Sequence, residues 1–204
     1  MKAIARCAVI AVLALAPSAG VHAASSSPIL TIRLYNTAGI PAAELGAAAR
    51  TAESTLRDTG VDVIVRHCGH RVSPDDAIDP CDDRLAPSEV VVRIIKAPAV
   101  TTTLTPDAYG VAYVVQETNR GWLATVFSDR SDSAASRAGV EPGTLLGRVM
   151  AHEVGHLLLG GGYHGDAGVM RAHWPDALIG HAGEEWRFSI LEATRMQHLV
   201  SPPF

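Results

Sequence analysis

The chain has 204 residues, 48% of them hydrophobic and 19% charged, with a net charge of −4. That is enough chain for one domain with a buried core, and too much apolar content for a disordered one. The excess of acids argues against a nucleic-acid partner, which needs a basic face, and no repeat or low-complexity tract points to a fibrous or array architecture.

Residues 1–23, MKAIARCAVIAVLALAPSAGVHA, carry Lys2 and Arg6, an apolar run from Cys7 to Ala16, then Pro17 and small residues. Val21-His22-Ala23 is a small-x-small cleavage site, and the whole is the pattern of a secretory signal peptide. An apolar run of about ten residues is well short of the roughly 20 that span a bilayer. The expectation is therefore a cleaved leader, a secreted or periplasmic product and no membrane span after cleavage. Residues 24–204 then form a single domain. Cleavage takes Lys2 and Arg6 from the 17 basic residues and nothing from the 21 acidic ones, which moves the net charge from −4 to −6.

The remaining cysteines, Cys68 and Cys81, read most simply as one disulfide in an oxidising compartment. Closing a loop of about 14 residues is worth roughly 3 kcal/mol in the chain-entropy model. The competing reading is a metal cluster of His67, Cys68, His70 and Cys81, whose spacing matches no common zinc knuckle.

In chain order, PILTIRLYN (28–36) is rich in β-branched and apolar residues and predicts a strand. Pro41 can open a helix, and residues 42–60 follow with Leu45, Ala48, Ala49, Ala52 and Leu56 on one face. Gly60 is a C-terminal stop. VDVIVRHC (61–68) predicts a second strand, and 69–88 is polar with three prolines, so a loop. EVVVRIIK (89–96) is apolar on both faces and predicts a central strand. After the connection TTTLTPD, YGVAYVVQE (109–117) and GWLATVFSD (121–129) predict two strands joined by the short turn TNR. Residues 131–143 have the composition of an exposed linker. TLLGRVMAHEVGHLLLG (144–160) predicts an apolar helix and 161–183 an irregular stretch. EEWRFSILEATRMQHLV (184–200) predicts a last amphipathic helix with Trp186, Ile190, Ala193, Met196 and Val200 near one face. The opening strand–helix–strand predicts a parallel right-handed crossover, and the tight fourth-to-fifth link predicts an antiparallel pair.

On the apolar helix, His152 and His156 are four residues apart and project from the same face one turn apart. One zinc ion can take both imidazoles. Glu153 reaches the space beside it, where it can take a proton from a metal-activated water and return it to a leaving amine. His-Glu-x-x-His alone arises by chance. Here Gly155 keeps the inside of the motif free of a side chain, and Gly160, Gly161 and Gly162 can end the helix abruptly. The chain then turns back to present His164. Two helical ligands and a returning third leave one open position, which separates a catalytic zinc from a structural one.

The stretch His152-Glu153-x-x-His156, glycine, His164 and then GVM with Met170 resembles the zinc signature of the metzincin metallopeptidases. Their common pattern is His-Glu-x-x-His-x-x-Gly-x-x-His followed by a methionine-containing turn. The resemblance implies His152, His156 and His164 as zinc ligands, Glu153 as general base and Met170 as the methionine beneath the metal. It also implies an α/β (α+β) zincin fold: a mixed, mostly parallel twisted sheet with an antiparallel edge strand, a zinc-binding active-site helix and a C-terminal helix. The sequence is likewise similar to small exported bacterial proteins that share MAHEVGHLLLG, GVMRAHW and LATVFSDR. Seven residues, Leu157 to Tyr163, separate the second and third histidines where the common pattern has five. Asp166, Glu184, Glu185, His173 and His181 thus remain alternative third ligands.

By the same resemblance an extended substrate would lie against the edge strand, near Gly110 to Val115. Tyr163, Arg171 and His173 are candidates to stabilise an oxyanion. Trp174, Trp186 and Phe188 read as core or pocket wall, His67, His70 and His198 as solvated, and residues 171–186 as the specificity pocket. The expected function is a monomeric, secreted zinc metalloendopeptidase with one catalytic zinc, acting on a peptide or protein by Glu153-assisted attack of water. The alternative is a non-catalytic zinc-containing domain that binds a peptide or partner on the same fold.

Overall fold

A computed structural model describes residues 27–69, 81–98 and 108–200. The expected leader, most of the loop between the cysteines and the TTTLTP connection lie outside the described residues. Strands β1 (Ile29–Asn36), β2 (Asp62–Cys68), β3 (Glu89–Ile95), β4 (Gly110–Val115) and β5 (Arg120–Phe127) form one sheet in the order β2-β1-β3-β5-β4. β1 runs parallel to β2 and β3, and β3 parallel to β5. Only β4 is antiparallel, hydrogen-bonded to β5 and forming the edge. The parallel opening crossover, the central third strand and the antiparallel edge are as the sequence predicts.

Period-two alternation gives the sheet two different faces. Leu30, Ile32, Leu34, Val63, Val90, Val92, Ile94, Ala124 and Val126 are buried on one face, beneath the helices. The other face carries Thr31, Arg33, Glu89, Arg93 and Thr125. Arg33 is buried there, ion-paired to Glu89 and donating to the carbonyls of Cys81 and Asp83. It thereby ties the segment after the disulfide to the sheet. Cys68 and Cys81 are bonded to each other, with Cα atoms 5.7 Å apart, so neither thiol is left for a metal.

Helices α1 (Ala42–Arg57) and α3 (Pro142–Leu159) lie side by side on the buried face. α1 buries Leu45, Ala48, Ala49, Ala52 and Leu56, the face predicted from its spacing. The two helices approach closely because α3 offers Gly143 and Gly147. A Cβ on Gly147 would stand 2.5 Å from the Ala48 carbonyl oxygen and 2.6 Å from Thr51 Cβ. Almost every residue of α3 is buried, so the helix carrying the histidines is held from all sides.

Two expectations are corrected. Residues 131–143 are not an exposed linker: Ser128–Ala138 is a helix, α2, with Ser128, Ser131, Ala134 and Ala135 buried. Its Ser/Ala composition is that of a narrow helix face, since small residues recurring every three to four positions allow close packing on α3. Gly139 ends it in the left-handed conformation at φ 68°. The last helix does not begin at 184. A single 3-10 turn (Glu184–Trp186) is followed, after a break, by α5 (Ile190–Val200). The break turns Ile190 outward, 88% exposed, while Met196 and Val200 are buried as expected and Glu192 is buried with them. A one-turn helix, α4 (Asp176–Ile179), lies in the otherwise irregular stretch. No helix among the described residues is long and apolar enough to cross a membrane.

Candidate metal centre

α3 directs His152 and His156 to one point, where their Nε2 atoms are 3.0 Å apart. Two ring nitrogens meet there with no other partner between them. His152 Nδ1 donates to the Val169 carbonyl oxygen at 2.7 Å. That bond fixes the tautomer and leaves Nε2 with its lone pair pointing outward, the arrangement in which a histidine can offer Nε2 to a metal. Gly160 ends α3 at φ 113°, Gly162 follows at φ 74°, and the chain returns with His164. The ligand nitrogens of His152, His156 and His164 all lie within 4.8 Å of one another. In a tetrahedral site with bonds of 2.0–2.1 Å, ligand nitrogens stand about 3.4 Å apart.

The longer spacing between His156 and His164 is absorbed by the glycine turn. Asp166, His173, His181, Glu184 and Glu185 do not join the cluster, and among the described residues no fourth ligating side chain does.

The electrostatics favour a cation. Burial lowers the pKa of His152 to about 3, helped by the neighbouring His156 ring, and burial lowers His156 to about 4. Burial also lowers His164. Three imidazoles held neutral offer three lone pairs to one point. Glu153, in contrast, is raised by burial to about 8. It lies against the first residue of the edge strand: a Cβ on Gly110 would stand 2.7 Å from its Oε1. Gly110 is therefore the space in which the carboxyl sits, a function of that glycine that the strand pattern did not disclose.

Beneath the histidines the chain forms a tight turn. The Gly165 N–H donates to the Met170 carbonyl at 2.9 Å and Val169 N–H to the Arg187 carbonyl at 3.1 Å. Met170 is fully buried under α3, opposite Gly155, where a Cβ would stand 2.4 Å from its Sδ. Gly155 and Met170 thus fit each other.

Tyr163 does not point to the metal position. Its hydroxyl donates to Glu192 Oε1 at 3.0 Å, and Arg195 lies over its ring while donating to the Leu159 carbonyl. Glu192 also accepts from the Ser189 N–H at 2.7 Å, and Ser189 Oγ accepts in return from the Glu192 N–H. This is a capping box, legible as Ser189-x-x-Glu192 but hidden by the expectation of one continuous helix. Through it α5 holds the residue next to His164.

The histidines and Glu153 open into a cleft of about 940 Å³. One wall is the edge strand from Tyr109 to Ala112. Another is Arg171 to Asp176, the first part of the stretch 171–186 read as the specificity pocket, with Trp174 buried, its ring edge-on to His152 at 5.2 Å and to Trp186 at 4.9 Å; residues 177–186 do not line the cleft. A third wall is α2, which supplies Asp129, Arg130, Ser133 and Arg137 and was not foreseen. Trp186 and Phe188 are buried, as expected, and His67 and His198 are exposed.

No family model matches the sequence, and no curated protein does. Among solved structures, the archaemetzincin of Methanopyrus kandleri is similar at a TM-score of 0.54, covering 85% of this chain and 96% of that one at 16% identity. The mostly parallel five-stranded sheet, its antiparallel edge and the flanking helices give this chain an archaemetzincin-like fold, with a cluster of three histidines opening on its cleft.

Proposed function

We propose that the protein is an exported zinc metallopeptidase whose metal is held by His152, His156 and His164 and whose general base is Glu153. The observation that carries this reading is the open three-histidine cluster with a buried carboxyl beside it at the floor of a large cleft. The metzincin-like motif and the archaemetzincin-like fold support it. The donor set fits zinc: neutral imidazoles, no fourth protein ligand among the described residues, and the Val169 carbonyl fixing the His152 tautomer. A bound zinc ion would supply Lewis acidity, polarising the scissile carbonyl and bringing water's pKa toward neutrality.

The chain does the rest. A peptide laid along the free side of β4 pairs backbone to backbone, which brings its carbonyl over Glu153. Glu153 takes a proton from the attacking water and passes it to the leaving amine. Trp174 and Tyr109, stacked at 6.1 Å, wall the cleft and exclude solvent. Met170 supports the floor.

The test is metal analysis joined to a peptide-library digest. The expected result is about one zinc per chain, cleavage abolished by a chelator and restored by zinc. Zinc without cleavage of any peptide would leave a binding domain, and no zinc would end the reading.

The capping box yields a prediction of its own. Tyr163→Phe is expected to weaken zinc affinity about tenfold, the low end of the effect of losing a group that positions a ligand, because His164 loses its tether. Glu192→Ala should do the same and also cost about 1–3 kcal/mol, since the Tyr163 hydroxyl and the Ser189 N–H lose their acceptor. Chelator competition and urea unfolding measure the two. Unchanged zinc affinity in both variants would show that His164 is positioned without α5.

A further inference from the structure

We propose that Arg171 is a carboxylate anchor, so that the substrate is a peptide with a negative charge near the bond cut. The charge is an acidic side chain or the peptide's own C-terminal carboxylate. This inference rests on the peptidase reading for the word substrate, but its geometry is independent of catalysis.

Arg171 follows Met170 directly, and its backbone is fixed twice. Its N–H donates to the Gly168 carbonyl at 3.3 Å, and it bridges to Gly165, the residue after His164. The side chain is half-buried and lines the cleft together with the histidines. It makes no ion pair among the described residues, and its Nε is buried with no hydrogen-bond partner. A guanidinium is charged at every working pH and presents five donors in a fork that fits a carboxylate. Its Nε is enclosed, so an arriving carboxylate meets the two terminal nitrogens, which are not enclosed and face the cleft.

The other arginines of the cleft, and the two aspartates beside them, are already engaged. Arg137 is bonded to Asp176 by two nitrogens, at 3.0 and 3.3 Å. Arg130 donates to the Ala108 carbonyl at 2.7 Å and lies over the Phe127 ring. Asp129 accepts from the Ala97 N–H at 2.7 Å. Arg171 therefore stands as the cationic group whose acceptor must come from outside, on a rigid turn next to the third histidine.

The experiment uses zinc-loaded Glu153→Gln protein, which holds peptides without cutting them, and calorimetric titration with three acetylated alanine hexapeptides. One carries a glutamate and an amidated C-terminus, one a free C-terminal carboxylate and no acid, and one is amidated and neutral. We expect one of the first two to bind at least about tenfold more tightly than the third, the size of a charged hydrogen-bonded contact. Which one does so identifies the source of the carboxylate. Adding Arg171→Gln should erase the difference between charged and neutral peptides, Arg171→Lys should keep part of it, and Arg171→Glu should favour a lysine peptide. Equal binding of all three peptides, or a preference that survives Arg171→Gln, overturns the anchor. Cleavage assays on the Glu153 protein separate the two readings. Cleavage without carboxylate preference overturns the anchor and leaves the peptidase. Carboxylate-selective binding without cleavage overturns the peptidase and leaves the anchor.

Discussion

Glu153→Gln is expected to lower peptide hydrolysis by about 10²–10⁴-fold, the range for loss of a positioned general base, with zinc content unchanged at about one per chain. Gln keeps the shape of Glu, so α3 and the seat against Gly110 survive, and His152 and His156 stay in register. The same substitution has an opposite effect on stability when the metal is removed. Burial raises the Glu153 carboxyl from 4.5 to about 8 in the folded protein. Between those values the folded state holds more protons than the unfolded one, so stability falls as pH rises from 4.5 toward 8. By pH 7 the loss is roughly 3 kcal/mol, at 1.36 kcal/mol per pH unit. The neutral Gln escapes it. Metal-free Glu153→Gln should thus match the unsubstituted protein near pH 4.5 and exceed it progressively up to pH 8 in urea unfolding. The histidines titrate in both proteins and cancel in the difference. Zinc should shrink that difference, because a cation beside the carboxyl favours its charged form. Parallel stability curves for the two metal-free proteins across pH 5–8 would contradict the burial argument.

Much of this was legible in the sequence because it is local. Apolar and β-branched runs such as EVVVRII mark the five strands, and connection length gives the parallel first pair and the antiparallel last pair; the parallel pairing of the middle strands is implied only by the metzincin resemblance. The helix pair His152/His156 and the base Glu153 are fixed by a four-residue spacing on one element. What stayed hidden depends on what one segment meets in space. Ser128–Ala138 has a linker's composition, and only contact with α3 makes its small residues a face, so the α2 wall of the cleft was missed with it. Gly110 looks like an ordinary strand residue until Glu153 is placed against it. Glu192 lies inside what reads as one continuous helix from 184, yet it is buried between Tyr163 and Ser189 because α5 starts six residues later and Ser189 caps it. Arg171 reads from the sequence as an oxyanion candidate near the histidines. Its lack of an ion-pair partner is a property of the folded cleft.

Gly155→Val is expected to disable the metal site from below. Every atom added at position 155 enters space held by Met170 Sδ at 2.4 Å and Phe188 Cε1 at 3.0 Å. Both residues belong to the buried core and Met170 is fully enclosed, so the turn itself has to move. Even Gly155→Ala should cost about 1–3 kcal/mol of overpacking, only partly offset by the better helix propensity of Ala, about 1 kcal/mol. Val should cost more. The consequence for zinc follows from chain order. Val169 precedes Met170, and its carbonyl accepts the hydrogen bond that fixes the His152 tautomer. A displaced Met170 drags that carbonyl away, and zinc affinity should fall by about 10–100-fold, as it does when a ligand histidine loses its hydrogen-bond partner. Because the cause is a steric contact between two named side chains, it can be relieved. Met170→Ala in the Gly155→Ala background should recover part of both losses, giving a favourable coupling energy in a double-mutant cycle, although Met170→Ala alone leaves a cavity and is destabilising. Urea unfolding and chelator competition on the four proteins measure that coupling. Additive losses would mean that the methionine and the glycine act separately, and that the turn reaches the metal ligands by some route other than their contact.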